Sequence, residues 1–333
     1  MEFDNIIQNL RKKNYHPVYL LQGEEPYFID IITDYIEKNV LSDVEKGFNL
    51  TVFYGKDSDA RTIAESALRF PMMASQQIII VKEAQSLNNI ENLTFYAEKP
   101  MKSTILVLSY KYKTLDARKA LVKAIKTNGV IFNSEKIYEN KIPEWIEKYL
   151  AQKEYSISPQ AAQILTSYLG NDLGKVANEL EKLIIAVKET NKITPEHIEQ
   201  NIGLSKEFNI YELQNALGAK NIYKANQIIN YFGANQTVNP FQKTISNLYF
   251  YFLKLFTYHF MTDKSERNTI AELHVHPFIA KSYIAAAKNY SPTKLYEIFG
   301  ILREYDMKSK GSDVSTMVDS ADLQKEMIYK ILH

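Results

Sequence analysis

The run Leu20-Leu21-Gln22-Gly23-Glu24-Glu25-Pro26-Tyr27 closes the first β-branched segment of the chain, where a nucleotide-binding α/β domain carries its phosphate loop. That chemistry needs GxxxxGK[ST]: glycines let backbone N–H groups approach the phosphates, lysine neutralises them and the hydroxyl holds magnesium. Here two carboxylates occupy the turn, with neither a second glycine nor a lysine. A phosphate at Gly23 would meet Glu24 and Glu25 instead of compensating charge, which disfavours nucleotide binding. The run Gln77 to Val81 should end in a metal-binding carboxylate pair if the domain hydrolysed ATP, and it leads instead into Lys82-Glu83-Ala84-Gln85. A solvated charge pair is the simpler reading of Lys82 and Glu83.

Other catalytic constellations are absent. His274 and His276 stand two apart beside Glu272, whereas a helical metal pair needs i, i+4 spacing, so they read as loop or partly buried histidines. No serine has a GxSxG setting, and the chain has no cysteine, which excludes disulfides, thiolate zinc modules and a cysteine nucleophile. No intrinsic catalysis, cofactor or metal is expected.

The elements that position these residues follow from periodicity. Pro17–Leu21, Leu50–Tyr54, Gln77–Val81, Thr104–Tyr110 and Val130–Asn133 read as strands, with helical patterns near 27–38, 59–69, 89–98 and 114–126 between them. One helix per strand pair implies right-handed crossovers and a parallel sheet covered on both faces. After about Lys141 the strand pattern stops. Helices are expected at 142–152, 159–169, 171–189 and 195–201, then at 210–217, 222–231, 240–261, 277–288, 292–308 and 320–332, with loops at 235–239 and 263–268. The fold class is α/β plus all-α, in three domains: residues 1–140 as the sheet domain, 141–207 and 208–333 as two helical domains.

Composition sets outer limits. Forty Lys and Arg against 39 Asp and Glu leave a formal net charge of +1, so any contact with nucleic acid must come from a local patch. One candidate runs from Lys99 to Lys126, with eight basic residues against Asp116. Within it Lys119, Lys123 and Lys126 fall at helical i, i+4, i+7 spacing opposite Leu121, Val122 and Ile125. Phosphate contact and a plain solvated face both explain that stripe. The start lacks a basic n-region followed by an apolar core, and no apolar run approaches the roughly 20 residues a membrane span needs, so a cytoplasmic chain without membrane contact is expected.

Taken together, the blocks resemble the delta subunit of the bacterial DNA polymerase III clamp loader. Pro17 to Tyr27 is similar to that family's opening strand and degenerate phosphate turn, and Phe70-Pro71-Met72-Met73-Ala74-Ser75-Gln76-Gln77-Ile78 to its clamp-contacting loop, where arginine commonly replaces Gln76. Leu169-Gly170-Asn171-Asp172-Leu173 with Asn178 to Leu183 resembles the lid, while Phe208 to Leu217 and Tyr305 to Gly311 resemble the opening and close of the collar. The resemblance implies an AAA+-like sheet domain, a helical lid and a helical collar. It implies a subunit that binds and opens the sliding clamp (the beta subunit) without hydrolysing ATP, inside a hetero-pentamer with gamma/tau and delta-prime that holds primer-template DNA. Such a chain would be classed with the polymerase holoenzyme it serves. The rival readings are an active AAA+ ATPase with an unrecognised site and a stand-alone DNA-binding protein.

Met72 and Met73 carry the implied clamp contact, because adaptable thioether side chains suit an irregular apolar pocket. Core residues folded under the sheet are the alternative. Phe70, beside Pro71, reads as a buried support. Asn171 or Asp172 should cap the next helix, with Glu179 and Lys182 on its solvated face. The aromatic run Tyr249, Phe250, Tyr251, Phe252, Phe256, Tyr258 and Phe260 suggests a helix packed on several sides, or a subunit interface.

Overall fold

A strand that is buried along nearly its whole length can only sit in the middle of a sheet covered on both faces, and three of the five strands have that character. The computed structural model describes residues 2–187, 190–202, 205, 208–311 and 319–333. It divides into two compact units, Met1–Ile137 and Tyr138–His333. In the first unit β1 (Val18–Gly23), β2 (Leu50–Tyr54), β3 (Gln77–Lys82), β4 (Thr104–Lys111) and β5 (Val130–Ser134) form one parallel sheet in the order β2-β3-β4-β1-β5. The almost wholly buried β1, β3 and β4 are internal, and the partly exposed β2 and β5 are the edges.

The pleat sends alternate residues to two cores. Tyr19, Leu21, Ile78, Ile80, Ile105 and Val107 face α1 (Phe3–Arg11) and α2 (Pro26–Asn39). Val18, Leu20, Ile79, Val81, Leu106 and Leu108 face α4 (Ala60–Ala67), α5 (Thr94–Glu98) and α6 (Ala120–Asn128). The chain leaves β1 for the far edge at β2 and then returns strand by strand past β1 to β5. The carboxyl end of β1, where Gly23 lies, is therefore the switch point at which open α/β sheets place ligands.

Several local expectations differ from what is found. Residues 114–119 are not helical: Arg118 N, which a helix from 114 would give to a backbone carbonyl, donates to the Asp116 carboxylate at 2.9 Å, Leu115 N donates to Gln22 Oε1 at 2.9 Å, and α6 starts only at Ala120. Helix α1 and the short α3 (Asp43–Asn49) were not anticipated, although α3 begins with a Ser42–Glu45 capping box visible as S-x-x-E. Ile90–Leu93 is a 3-10 turn ahead of α5.

In the second unit α7 (Ile142–Ala151), α8 (Pro159–Leu169), α9 (Leu173–Ala186) and α10 (Pro195–Ile202) come first. Between them β6 (Ser156–Ile157) and β7 (Lys192–Ile193) form a two-residue parallel pair, so strand pairing does not stop at Lys141. The expected helix end at Glu189 and the boundary residue 207 lie outside the described residues. Then follow α11 (Ile210–Gly218), α12 (Ile222–Ala234), α13 (Phe241–Phe260), α14 (Glu266–Glu272), α15 (Pro277–Ala287), α16 (Pro292–Ser309) and α17 (Ser320–Leu332), packed around one core. The expected loop at 263–268 is partly α14, because Ser265 Oγ accepts from Asn268 N at 3.3 Å and caps a helix there. Gly218 lets three helices meet: a Cβ at that position would lie 2.3 Å from Tyr251 Oη and 2.9 Å from Ala286 Cβ.

One core position lacks what burial demands. Gln324 on α17 is fully buried, and neither its Oε1 nor its Nε2 has a hydrogen-bond partner among the described residues. A buried unpaired amide costs about 1–3 kcal/mol. Gln324→Met keeps the side-chain length and removes both orphaned atoms, so it should raise the melting temperature by roughly 2–4 °C or more in a thermal denaturation scan.

Candidate functional site

The loop between α4 and β3 is the most exposed apolar feature of the sheet unit. Phe70 is 76% exposed, Met72 60% and Met73 101%. The core alternative for the two methionines is not what is found, and Phe70 is not a buried support; it stands in solvent beside half-buried Pro71. Met73 has φ +52°, a left-handed backbone unusual for a residue with a long side chain.

Two buried amides fix this loop from below. Asn49, the last residue of α3, accepts from Met72 N through Oδ1 at 2.6 Å and donates through Nδ2 to Met72 O at 2.9 Å and to Glu45 O at 3.1 Å. Gln77, the first residue of β3, directs its side-chain NH2 at the carbonyls ending α4, Ala67 O at 3.3 Å and Arg69 O, and at Thr104 Oγ1 at 2.8 Å. Thr104 Oγ1 donates to Ala67 O at 2.9 Å. Backbone groups that a loop would otherwise leave to water are thus tied into the sheet. The sequence pointed to Met72 and Met73 but not to Asn49, whose role rests on a contact 23 residues away in the chain.

At the β1 switch point the phosphate turn is filled by the protein itself. Gly23 N donates to Lys113 O at 3.1 Å and Glu25 N to Ser134 O at 3.3 Å. The buried Glu25 carboxylate caps α2, accepting from Tyr27 N at 3.0 Å, so a side-chain anion sits where a helix N-terminus would meet a phosphate. Glu24 points to solvent. Gly23 has φ +135°, and a Cβ there would lie 2.1 Å from Ser134 O. At the end of β3, Lys82 pairs with Glu37 at 2.9 Å, and Glu83 lies 3.4 Å from Lys111, which also pairs with Asp30 at 2.7 Å. Burial works against the Lys111 ammonium, but the two carboxylates outweigh it and raise its pKa.

The basic stripe is only partly as expected. Lys119 is the residue before α6 and pairs with Glu91 at 2.8 Å, while Lys123 and Lys126 are exposed on α6 with no ion pair among the described residues. In the second unit Asp172 caps α9 by accepting from Lys175 N at 3.1 Å, and Glu179 pairs with Lys182 at 2.7 Å. His276 caps α15, its Nδ1 accepting from Phe278 N at 3.3 Å, and the described residues hold no metal-binding cluster of acidic groups and histidines. Helix α13 is not covered all round: Tyr251, Phe252 and Tyr258 are buried, but Tyr249, Phe250 and Phe260 are exposed. Phe299 joins Tyr249 and Phe256, at ring-centroid distances of 5.6 and 5.7 Å, into an aromatic ridge.

Asn49→Ala removes both anchors of Met72 and leaves its N–H and carbonyl to water. It should destabilise the protein by about 1–3 kcal/mol and speed tryptic cleavage after the exposed Arg69, read by limited proteolysis followed by mass spectrometry.

Comparison with known proteins bears on this arrangement in three ways. The family model described as DNA polymerase III, delta subunit matches residues 19–135, and that described as DNA polymerase III delta subunit, C-terminal domain matches residues 207–319. The DNA polymerase III subunit delta of Bacillus subtilis (strain 168) is 26% identical over 337 residues, covering 97% of this chain and 96% of the relative. The solved structure of the Bacillus subtilis DNA clamp loader delta protein (YqeN) superposes with a TM-score of 0.61 at 22% identity, covering 99% of each chain, which establishes a shared fold. Two models of one family, matched in chain order and together spanning more than half of the sequence, place this chain in the DNA polymerase III delta-subunit family.

Proposed function

We propose that this chain is the clamp-loader subunit that binds the sliding clamp and opens it for loading onto primed DNA, and that it does so without hydrolysing nucleotide itself. The observation that carries this reading is the Met72–Met73 tip: two exposed thioethers on a backbone pinned by Asn49 and Gln77. A backbone already pinned has little backbone freedom left to lose when its exposed apolar side chains bind, which helps to make them effective anchors. Support for the second half comes from the turn at Gly23, where the donors a phosphate would need already bind protein oxygens and Glu25 holds the anion position.

A subunit without nucleotide chemistry shifts the clamp from closed to open only by binding the open form more tightly. The other loader subunits, gamma/tau and delta-prime, are the partners this reading requires. The aromatic ridge of Tyr249, Phe256 and Phe299, with exposed Phe250 beside Tyr249, suits packing against one of them. Exposed Lys123 and Lys126 are the candidates for contact with phosphates of primer-template DNA, and Lys119 less so because Glu91 already neutralises it. No helix among the described residues is long and apolar enough to cross a membrane, in keeping with a cytoplasmic site of action.

Two measurements test the proposal. Replacing Met72 and Met73 together with Ala should weaken clamp binding by roughly a hundredfold or more, at about 2 kcal/mol per anchor, while melting temperature and loader assembly are retained. Unchanged affinity would remove both residues from the contact. Equilibrium dialysis with ATP and magnesium should find no binding by the purified chain at micromolar nucleotide; saturable binding with turnover would favour the ATPase reading.

A further inference from the structure

Helix α3 presents two large apolar side chains to water: Val44 is 81% exposed and Phe48 71%. They stand at i, i+4 and therefore on one face. A seven-residue helix is marginal on its own, and α3 is held by its ends rather than by burying that face. Ser42 N donates to Glu45 Oε2 at 2.8 Å, Glu45 N donates to Ser42 Oγ at 3.4 Å, and Lys46 pairs with Asp43 at 2.9 Å. The outward pair contributes nothing to the core that these bonds do not already secure.

The next residue explains where that face belongs. Asn49 follows Phe48 directly and bonds both backbone groups of Met72, at 2.6 and 2.9 Å. Adjacent Cα atoms are about 3.8 Å apart and one side-chain bond bridges the rest, so the backbones of Phe48 and Met72 lie on the order of 10 Å apart. A body that takes Met72 and Met73 into a pocket is then within side-chain reach of Phe48. Two methionines also fall well short of the roughly 800 Å² per partner that a stable interface buries. The remaining area must adjoin them, and the apolar surface bonded to the tip is that of α3.

We propose that α3 is the second half of the clamp-contact surface, with Val44 and Phe48 docking on the same sliding clamp as Met72 and Met73 and Asn49 holding the halves in register. This rests on the clamp reading of the tip. Ion-paired Asp43 and Lys46 flank the apolar pair and give it the polar rim of a specific contact.

The test uses the full-length chain and purified clamp, with surface plasmon resonance for affinity, thermal denaturation for stability and pull-down for loader assembly. The variants are Val44→Ser with Phe48→Ser, Met72→Ala with Met73→Ala, and Phe48→Leu alone. The serine pair should lower clamp affinity at least tenfold with melting temperature and assembly unchanged, and Phe48→Leu should keep affinity within about threefold of the parent. Full affinity in the serine pair, with the methionine pair still impaired, overturns the role of α3 and leaves the tip reading standing. Full affinity in both pairs removes the tip reading and this inference with it. Lost stability would return Val44 and Phe48 to a structural role. Lost assembly or lost self-association in sedimentation, with clamp affinity intact, would assign the face to another subunit or a second copy; each of these results overturns the proposal.

Discussion

The Asn49 side chain gives its oxygen to Met72 N–H and an N–H to Met72 C=O, and that pair of bonds allows the rest of the exposed loop to be apolar. A loop that relied on water for its backbone would have to stay polar and mobile; one whose backbone is bonded inward can display Phe70, Met72 and Met73 without collapsing onto the sheet. Gln77 does the same for the carbonyls that end α4, through Ala67 and Arg69. Both amides stand at the start of strands or the end of a helix, so the rigidity of the sheet is transmitted to the tip. Strand β3 is therefore both scaffold and clasp: its first side chain closes the loop, and its next four fill the two cores.

How much of this was legible in the sequence depends on the range of the interaction. The internal strands β1, β3 and β4 were readable because buried parallel strands carry continuous apolar runs such as Ile78-Ile79-Ile80-Val81, a signal complete within a few residues. Helices beginning after Ser158 and Thr194, at Pro159 and Pro195, were readable for the same reason, since cap and proline stand side by side. The turn at 114–119 was not, because the segment is held in place by Gln22, 93 residues earlier, which accepts from Leu115 N. The burial of Phe70 was misjudged because periodicity ranks residues by apolarity and cannot register that the backbone beneath them is tied down. The resemblance located Met72 and Met73, and Asn49 became visible only once the loop and α3 were seen bonded to each other.

The filled turn at Gly23 has a consequence for single substitutions. A single change that introduced a phosphate-loop lysine would set a cation above groups that are already paired: Gly23 N on Lys113 O, Glu25 N on Ser134 O and Tyr27 N on the Glu25 carboxylate. Gly23 cannot take a side chain against Ser134 O, so the turn has little room to reopen around a new residue. A phosphate cradle at this turn would require the β5 end to withdraw, the internal carboxylate to leave and a lysine to arrive together, and each step alone gives up bonds for no ligand. Such a turn is locked against single substitutions: a change at the exposed Glu24 leaves these bonds in place, and no one replacement opens a phosphate cradle.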